Sequence, residues 1–468
     1  MTTDVTVVRD VVVVLPGIMG STLYRGDEPV WSLRPGTLLR SIATLGRGLK
    51  ALQLPAGIGD HEPDDPTGHE VTARSLMPGL HVIPGLWSPI DGYDTLVDFL
   101  RSERFHLVEA DERDPDRLAN LVPYPYDWRL SCRANARRLR RDIVPILERW
   151  RSQPGFGSAK LLIAAHSMGG LVARSFLECE GGAELTRALV TIGTPHRGSL
   201  SALETLVNGL RKGIGPLALD LGDFARSLPA MYELLPRYDA VIDEHGDRHP
   251  IDAAQSGIDA TMLGNARHFH EAIDAGVAAR AEAGYELHKV VGIRQPTATT
   301  ARLVGGRVRP EEKIDGKNQG GDGTVPRMAA EPEDGRSTAV HPFSTRHGSL
   351  QAAKATFDLL DELLTRDDIV WEGGADPTTG LSVEMDELWL AGEQPTLTVR
   401  DMPDLRLRVT VTDEQGAAAY PAPLVVPAEG TLALPLLQPG GYRALVEGPK
   451  GGPPPMQIPF LVWDESAT

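Results

Sequence analysis

The stretch LLIAAHSMGGLVARSFL, residues 161–177, indicates the fold more strongly than any other part of the chain. Its first five residues are apolar and predict a buried strand, and the residues after Ser167 predict a helix. Small residues, Ala165 and Gly169, stand two positions before and two after the serine, as the tight turn of a nucleophile elbow requires. Glycine is more usual at both positions, so the neighbouring strand must accommodate the methyl group of Ala165. We predict an exposed, nucleophilic Ser167 hydroxyl between a strand and a helix N-terminus that favours negative charge.

The composition predicts a soluble globular protein with room for a large core and a second domain. The chain has 468 residues, of which 41% are hydrophobic and 24% are charged. Its formal net charge of −17 opposes binding to nucleic acid or to strongly anionic membranes through a general basic field. Local basic patches are compatible with that charge, but no nucleic-acid partner is predicted.

The cysteines and the N-terminal region bear on location. Cys132 and Cys179 are the only cysteines and form no C-x-x-C pattern, which predicts free, mostly buried thiols. No positively charged segment precedes the apolar run Val11–Leu15, and this run is too short to span a bilayer. A cytoplasmic location is therefore the default expectation.

An early loop predicts part of an oxyanion hole. The β-branched run Val11–Leu15 predicts a buried strand that leads into the loop PGIMGS, residues 16–21. In an architecture with a nucleophile elbow, one oxyanion donor lies in such a loop and the other is the N–H group that follows the nucleophile. The backbone N–H groups of Ile18 and Met168 are therefore the candidate donors. The alternative for the early loop is an ordinary strand-to-loop turn.

Six motifs extend the prediction beyond the elbow. They are LPGIMGS, PYDWR, AHSMGG, TIGTPHRGS, SLPAMYELLP and GGDGTVP. With them the chain resembles the lecithin:cholesterol acyltransferase and lysosomal phospholipase A2 family of α/β-hydrolases, over roughly residues 11–364. The resemblance implies an α/β-hydrolase core and a phospholipid or similar lipid ester as acyl donor. Within PYDWR, Asp127 and Arg129 suggest a buried or half-buried ion pair with partners elsewhere, and Trp128 supplies core area, so we favour a structural role over a catalytic one.

The third motif residue of GGDGTVP, Asp322, is the predicted acid of a Ser-His-Asp triad. It follows a late predicted strand among glycines, as an acid that orients a histidine would. Asp315 in KIDGKNQ is the main rival, and the resemblance selects Asp322.

The predicted base is His347 in TRHGSL. In this fold the chain order is serine, acid, histidine, so the base lies after Asp322. His347 directly precedes the amphipathic segment 349–364, which reads as the helix after the histidine loop, and His341 is the fallback. His196 in TIGTPHRGS lies, by the resemblance, in a loop at the root of a lid, and is interpreted as a residue near the pocket rather than as the base.

Residues 199 to about 286 are helical and loop-rich without strand alternation, which predicts a helical cap inserted into the core. Apolar residues at mixed spacing would bury a lipid chain and exclude water, although they would serve equally well to pack the cap on the core. They are Leu206, Leu210, Ile214, Leu217, Leu219 and Leu221. His268 and His270 point to different helix faces, and the acidic residues between 60 and 65 lack ligand spacing, so we predict no metal and no cofactor.

The last part of the chain changes character. Glycine, proline and acidic residues near 371–380 predict a linker after an α/β-hydrolase domain at 1–370. Short β-rich runs separated by glycine and proline follow, and predict a small all-β sandwich, immunoglobulin-like, at 381–468. Such a module could bind carbohydrate, a protein partner or a lipid surface, or could only cover the hydrolase.

The predicted function is acyl transfer by a lipase or phospholipase type of enzyme. Ser167, activated by His347 and Asp322, would form an acyl-enzyme that water or an alcohol then cleaves, so hydrolase and O-acyltransferase remain open. Transient contact with a membrane or lipid surface is compatible with this function. The alternatives are an esterase for soluble small esters, and a catalytically silent hydrolase fold that serves as a binding scaffold.

Overall fold

The computed structural model describes most of the chain. The described residues are 8–32, 52–54, 71–79, 91–209 without 112 and 115, 222–333 without 283, 339–365, 381–400, 407–426, 430–449 and 453–464. The predicted linker at 371–380, the acidic residues at 60–65 and five of the six cap residues, 210–221, lie outside these ranges. Leu206 lies within them and is buried.

The first half of the chain alternates strands and helices, and its elements are numbered in chain order. They are β1 Val11–Leu15, β2 Ser21–Arg25, β3 Glu28–Trp31, β4 Val71–Leu76, α1 Asp94–Leu100, β5 Leu121–Pro123, α2 Cys132–Arg151, β6 Leu161–His166, α3 Met168–Cys179 and β7 Thr186–Ile192, with a 3-10 turn at Ala183–Leu185 before β7. Strands β2, β3 and β4 form a small separate sheet.

The middle of the chain contains both helices and strands, several of them short. It contains α4 Leu200–Asn208, α5 Gly222–Arg226, α6 Pro229–Glu233, β8 Val241–Ile242, β9 Arg248–His249, α7 Ala253–Ser256, α8 Ala260–Ala278, β10 Glu286–Gly292, β11 Thr300–Val304, β12 Arg307–Glu311, β13 Lys313–Ile314, β14 Lys317–Asn318, β15 Ala339–Phe343 and α9 Lys354–Thr365, with 3-10 turns at Arg327–Ala330 and His347–Ala352. The short strands β8 and β9 were not expected in the predicted helical cap. Two-residue strands around the turn at Gly246 are too short to produce a detectable alternation, and they extend a sheet with order β12-β11-β8-β9.

The central sheet has six parallel strands in the order β15-β10-β7-β6-β1-β5. Because successive side chains of a strand point to opposite faces, β1 supplies Val11 and Val13 to one face and Val12 and Val14 to the other. The first face packs with α2 and α3, and the second with α1 and α9. This confirms the predicted α/β class, a parallel sheet with helices on both faces.

The C-terminal residues form two facing sheets, which we call the C-terminal sandwich. Its strands are β16 Ser382–Met385, β17 Leu388–Leu390, β18 Thr396–Arg400, β19 Leu407–Asp413, β20 Leu424–Val426, β21 Gly430–Ala433, β22 Gly440–Glu447 and β23 Met456–Trp463. One sheet has the order β16-β18-β21 and the other β17-β23-β22-β19-β20. Their facing side chains share one apolar core, which confirms the predicted all-β sandwich.

Two smaller expectations have mixed outcomes. Cys132 is buried as predicted, whereas Cys179 is exposed at the end of α3. Among the helices in the described ranges, none combines the length and apolar composition that a membrane crossing requires.

Candidate functional site

Ser167 occupies the turn between β6 and α3, in a backbone conformation that few side-chain-bearing residues adopt. Its φ is 52° and its ψ is −125°. A Cβ at Gly169 would collide with the carbonyl oxygen of Pro16, so only glycine fits two positions after the serine. Ala165 is fully buried, which accommodates the methyl group that departs from the usual pattern. The turn therefore has the close approaches and the strain expected of a nucleophile elbow.

The structure brings Ser167, His347 and Asp322 together in one chain of hydrogen bonds. The distance from His347 Nε2 to Ser167 Oγ is 2.9 Å, and that from His347 Nδ1 to Asp322 Oδ2 is 2.8 Å. All three residues are buried, and Ser167 is only 6% exposed, so the predicted exposure of its hydroxyl is wrong for this structure. His347 lies 180 residues after Ser167 and 25 after Asp322 in the sequence. The three residues meet because β6, β10 and β15 end at the same edge of the parallel sheet.

Asp322 is held in place by its own loop. Its Oδ1 accepts hydrogen bonds from the backbone N–H groups of Thr324 at 2.9 Å and Val325 at 2.7 Å. Its backbone carbonyl accepts from the His347 N–H at 2.9 Å. A carboxylate only accepts hydrogen bonds, so His347 Nδ1 is the donor to Asp322, and in a neutral imidazole this leaves Nε2 unprotonated and next to the Ser167 hydroxyl. This is the tautomer that a general base requires.

Two glycines, Gly193 and Gly292, line the space that the Asp322 and His347 side chains occupy. A Cβ at Gly193 would stand 3.1 Å from His347 Nδ1 and 3.2 Å from Asp322 Oδ2, and one at Gly292 would collide with the Asp322 side chain. Gly193 follows β7 and Gly292 ends β10. The absence of side chains at these two strand ends leaves the space in which the carboxylate and the imidazole pack.

The two predicted oxyanion donors lie at the same turn. A Cβ at Gly17 would stand 2.9 Å from Ser167 Cβ, so the loop that carries Ile18 is in contact with the serine. Met168 is the first residue of α3, where N–H groups have no intrahelical acceptor. Within the described part of the chain, neither the Ile18 nor the Met168 N–H donates to a protein acceptor. Both remain candidates for binding an oxyanion.

A buried hydrogen-bond network behind the site was not predicted from the sequence. The Gly17 N–H donates to the Tyr93 hydroxyl at 2.7 Å, and that hydroxyl lies 2.8 Å from His166 Nδ1. His166 Nε2 lies 3.0 Å from the His347 carbonyl oxygen. Because a carbonyl only accepts, His166 Nε2 is the donor and His166 Nδ1 accepts from Tyr93.

This network joins the candidate oxyanion loop to the loop of the base. Burial raises the pKa of the Tyr93 phenol, and the Gly17 N–H opposes that rise only in part, so the hydroxyl keeps its proton. His166 stood inside the quoted elbow motif, but nothing in the sequence connects it to Tyr93, which lies 73 residues earlier.

The rival residues lie elsewhere. Asp315 is in the exposed turn between β13 and β14, where it pairs with Arg248 at 3.1 Å. His341 lies within β15, and its Nε2 is 3.3 Å from Nδ1 of His288 on the adjacent strand. His196 is buried with its Nε2 3.3 Å from Thr191 Oγ1. Burial lowers the pKa of His196 well below its ordinary value, and the nearby cations, Arg174 first, lower it further.

The ion pair predicted within PYDWR has a different partner from the one expected. We expected Asp127 and Arg129 to find partners elsewhere, but they bind each other, with Arg129 Nη2 2.6 Å from Asp127 Oδ2 and Nε 2.9 Å from Oδ1. The turn Asp127–Leu130 folds the two side chains back together, which sequence spacing alone does not reveal. Both are buried, and Arg129 Nη1 also donates to the Leu52 carbonyl. Trp128 is fully buried, so the predicted core role is correct.

Comparison with known protein families finds one that matches part of the chain. Residues 115–281 match the family model described as "Lecithin:cholesterol acyltransferase", which confirms the resemblance for about a third of the chain. This segment includes PYDWR, the elbow and most of the predicted cap. No curated protein sequence matches the chain.

Several solved structures are similar to the chain at low identity. One described as the Tle4-Tli4 complex is 14% identical and covers 75% of this chain and 96% of its own, with a TM-score of 0.43. The Bacillus licheniformis lipase BlEst2 in propeptide form is 12% identical, covers 71% and 83%, and has a TM-score of 0.30. The Legionella pneumophila phospholipase PlaB in complex with thio-NAD is 11% identical, covers 82% and 91%, and has a TM-score of 0.28. These scores are too low to bear on function.

Proposed function

Because residues 115–281 match the lecithin:cholesterol acyltransferase family, we propose that the chain is a serine-dependent acyl-ester hydrolase or O-acyltransferase acting on lipids. One observation carries the proposal: the unbroken chain of hydrogen bonds from Asp322 through His347 to Ser167, at a strained turn before a helix. A buried arrangement of this kind has no evident structural use, since an ordinary turn would avoid the strain at Ser167.

In the proposed mechanism, Ser167 Oγ attacks the ester carbonyl carbon while His347 Nε2 takes the hydroxyl proton. Asp322 holds the imidazole in the correct tautomer and stabilises the imidazolium that forms. The N–H groups of Ile18 and Met168 donate to the oxyanion, and the helix N-terminus at Met168 adds a favourable field.

The tetrahedral intermediate then collapses. The C–O bond to the leaving alcohol breaks, His347 returns the proton to that alcohol, and the acyl group stays on Ser167. Water or a second alcohol, deprotonated by the same His347, attacks the acyl-enzyme and releases the acid or a new ester. Hydrolysis and acyl transfer therefore share one set of residues.

The proposal includes the domain organisation. The hydrolase domain is assigned to 1–370 with a cap at about 199–286, the linker to 371–380, and the immunoglobulin-like sandwich to 381–468. The buried Leu206 in α4 supports an apolar interior for the cap. A cytoplasmic location stays a prediction.

The mechanism is tested by the intact mass of the protein after exposure to a fluorophosphonate. We expect one adduct on the wild type, none on Ser167→Ala, and an adduct of wild-type size on Ser152→Ala, which changes a serine at the end of α2. An unlabelled wild type with confirmed folding would contradict the mechanism and favour the binding scaffold.

The lipid part of the proposal is tested with a series of acyl chains. We expect kcat/KM to rise from p-nitrophenyl acetate to the palmitate ester, and phosphatidylcholine vesicles to be cleaved. A maximum at acetate or butyrate would instead favour an esterase for soluble esters. A long-chain alcohol added to the same reaction separates the two outcomes of the acyl-enzyme, because a transferase yields the new ester and a hydrolase yields the free acid.

A further inference from the structure

We propose that the C-terminal sandwich is a positioning part of the active site, in which Arg443 and the backbone of 381–385 hold the loop that carries His347. This inference rests on the proposed function and extends it, since it assigns a role to a domain that the catalytic chemistry does not use. The loop, residues 344–351, contacts the sandwich on both sides of the histidine.

On one side of His347, the contact is a buried carboxylate. Asp91 has a side chain only 3% exposed, and its Oδ1 accepts from Arg443 Nε of β22 at 2.7 Å. Its Oδ2 accepts from the Ser349 hydroxyl at 2.7 Å, and Gln457 of β23 lies 3.3 Å from the same oxygen.

The backbone of Asp91 is bound to the same loop. Its N–H donates to the Gly348 carbonyl at 2.7 Å, and its carbonyl accepts from Gln351 Nε2 at 2.6 Å. Asp91 therefore connects the residues immediately after His347 to two strands of the sandwich.

On the other side of His347, the loop donates to the sandwich. Arg346, the neighbour of the base, donates from Nη1 to the Met385 carbonyl at 3.0 Å and from Nη2 to the Val383 carbonyl at 3.1 Å. The Ser344 hydroxyl donates to the Leu381 carbonyl, which also accepts from Gln295 at 3.0 Å. The residues before His347 are thus bound directly to the sandwich, and those after it are bound to the sandwich through Asp91.

Apolar contacts make the junction continuous with the hydrolase core. Leu461 and Trp463 of β23 are buried in the same apolar cluster as the β1 and β6 side chains of the central sheet, and Leu388 and Leu390 of β17 pack against that cluster. A module attached only to present a binding surface needs no such continuity. The junction has the character of a domain core rather than of a transient interface.

The ion pair between Arg443 and Asp91 explains why loss of Arg443 should displace His347. Without the guanidinium, Asp91 would be a buried carboxylate with only neutral donors, and removing one partner of a buried pair is strongly unfavourable. Asp91 or the loop must then move towards water. Because a misplacement of about 1 Å can lower a rate about 100-fold, a small shift of His347 is measurable as loss of reactivity at Ser167.

The test compares Arg443→Gln with Arg443→Lys in the full chain, with Arg408→Gln as the matched control. Arg408 lies on the neighbouring strand β19, is 62% exposed and pairs with Glu447 at 3.7 Å, so its loss should not reach the loop. The first measurement is the fluorophosphonate reaction, analysed as maximal inactivation rate and inhibitor affinity over a pH series. The second is hydrogen exchange of peptides that cover 344–351.

We expect Arg443→Gln to lower the maximal rate roughly 10- to 100-fold with little change in inhibitor affinity, and to shift the pH profile that reports the base. Exchange at 344–351 should accelerate. Arg443→Lys should recover part of the rate, and Arg408→Gln should stay within about twofold of wild type. If Arg443→Gln does not fold, Gln457→Leu, which removes a weaker contact to Asp91, should show the same changes at smaller size.

Wild-type rate, pH profile and exchange in a folded Arg443→Gln would overturn the inference. Failure of the proposed function is distinguishable, because the wild type itself would then remain unlabelled, while exchange at 344–351 would still report whether the sandwich holds the loop.

Discussion

Ser167 is kept in its strained conformation by contacts on both sides of the chain. Its N–H donates to the Ile192 carbonyl at 2.8 Å, and Gly169 lies against the backbone at Pro16. A residue in such a sparsely populated region costs about 1–3 kcal/mol and persists only where its surroundings determine it. The strain is therefore held by the first, sixth and seventh strands together, and a substitution in any of them can release it.

Gly193, which lies against Asp322 and His347, leads to a prediction with a closely matched control. Gly193→Ala adds a methyl group against His347 Nδ1, Asp322 Oδ2 and Leu350 at a φ of 59°, whereas Gly305→Ala adds one at the same φ with nothing within 4 Å. Both changes carry the backbone cost of about 1–2 kcal/mol. We expect only Gly193→Ala to lower the fluorophosphonate labelling rate, by roughly 10- to 100-fold. Equal labelling rates in the two variants would show that the space at Gly193 does not position Asp322 and His347.

The Tyr93 network leads to a second prediction. Tyr93→Phe leaves the Gly17 N–H and His166 Nδ1 without their partner, and unsatisfied buried groups cost about 1–3 kcal/mol. We expect a free energy of unfolding that is lower by that amount and a labelling rate reduced about tenfold. The loop with the candidate oxyanion donor Ile18 would no longer be bound to His166. The control is Tyr124→Phe, whose hydroxyl binds Asp142 at 2.8 Å. It should lose stability without a matching loss of labelling rate.

Among the elements, helix α2 depends on a residue that is distant in sequence. Its N-cap Ser131 accepts from the Ala134 N–H at 3.1 Å, and serine is one of the residues preferred at that position. Its first N–H, that of Cys132, donates instead to Glu233 Oε2 of α6 at 2.7 Å. Burial raises the pKa of the Cys132 thiol, and the Glu233 carboxylate raises it further, so this thiol stays protonated. The start of α2 is thus bound to an element of the predicted cap.

The contact between α8 and α6 predicts a pH dependence of the free energy of unfolding. His270 on α8 donates from Nε2 to the Glu233 carbonyl at 2.8 Å. Burial lowers its pKa from 6.5 to about 4, and Arg237 lowers it further, whereas the Glu233 carbonyl and Asp274 oppose the shift. As the pH falls, the His270 imidazole is therefore protonated at a higher pH in the unfolded chain than in the folded one. The stabilisation is complete above about pH 6.5 and is lost as the pH falls towards 4.

We expect this histidine alone to lower the free energy of unfolding by roughly 2 kcal/mol between pH 7 and pH 5. Urea unfolding at the two pH values measures it. His270→Gln should reduce the pH dependence by about that amount, whereas His268→Gln, an exposed position on the same helix, should leave it unchanged. An identical pH dependence in wild type and His270→Gln would contradict the prediction.

Elements with strong periodicity could be predicted from the sequence, and contacts between distant elements could not. The strand Val11–Leu15 was predicted at its observed bounds, and the strand–serine–helix unit nearly so, because buried parallel strands are continuous apolar runs. The elbow pattern indicates Ser167 and the family resemblance selects Asp322. The chain order of the triad and the amphipathic segment after the loop indicate His347. The mutual pairing of Asp127 and Arg129, the role of Tyr93 and the strands β8 and β9 depend on turn geometry and tertiary contacts, which leave no periodic signal.

At the scale of the whole molecule, an apolar core of the central sheet and the core of the C-terminal sandwich meet at β23. Leu461 and Trp463 of β23 belong to the core of the central sheet, whereas its alternating residues from Met456 to Val462 belong to the core of the sandwich. Polar contacts of Asp91 and Arg346 link the same sandwich to the loop of His347. The C-terminal sandwich is therefore packed on the core of the central sheet rather than attached to it as an independent appendage.

The link between Asp91 and Arg443 also has a consequence for biosynthesis. Ser167, Asp322 and His347 leave the ribosome well before Arg443, which follows the histidine by about 100 residues. At about 5–20 residues per second, that interval lasts about 5–20 s. During it the nascent chain would contain every group required for acyl transfer but not the strands that hold the base. Under the proposed function, translation order would thus leave the acyl-transfer site unassembled until Arg443 and its strand have been synthesised.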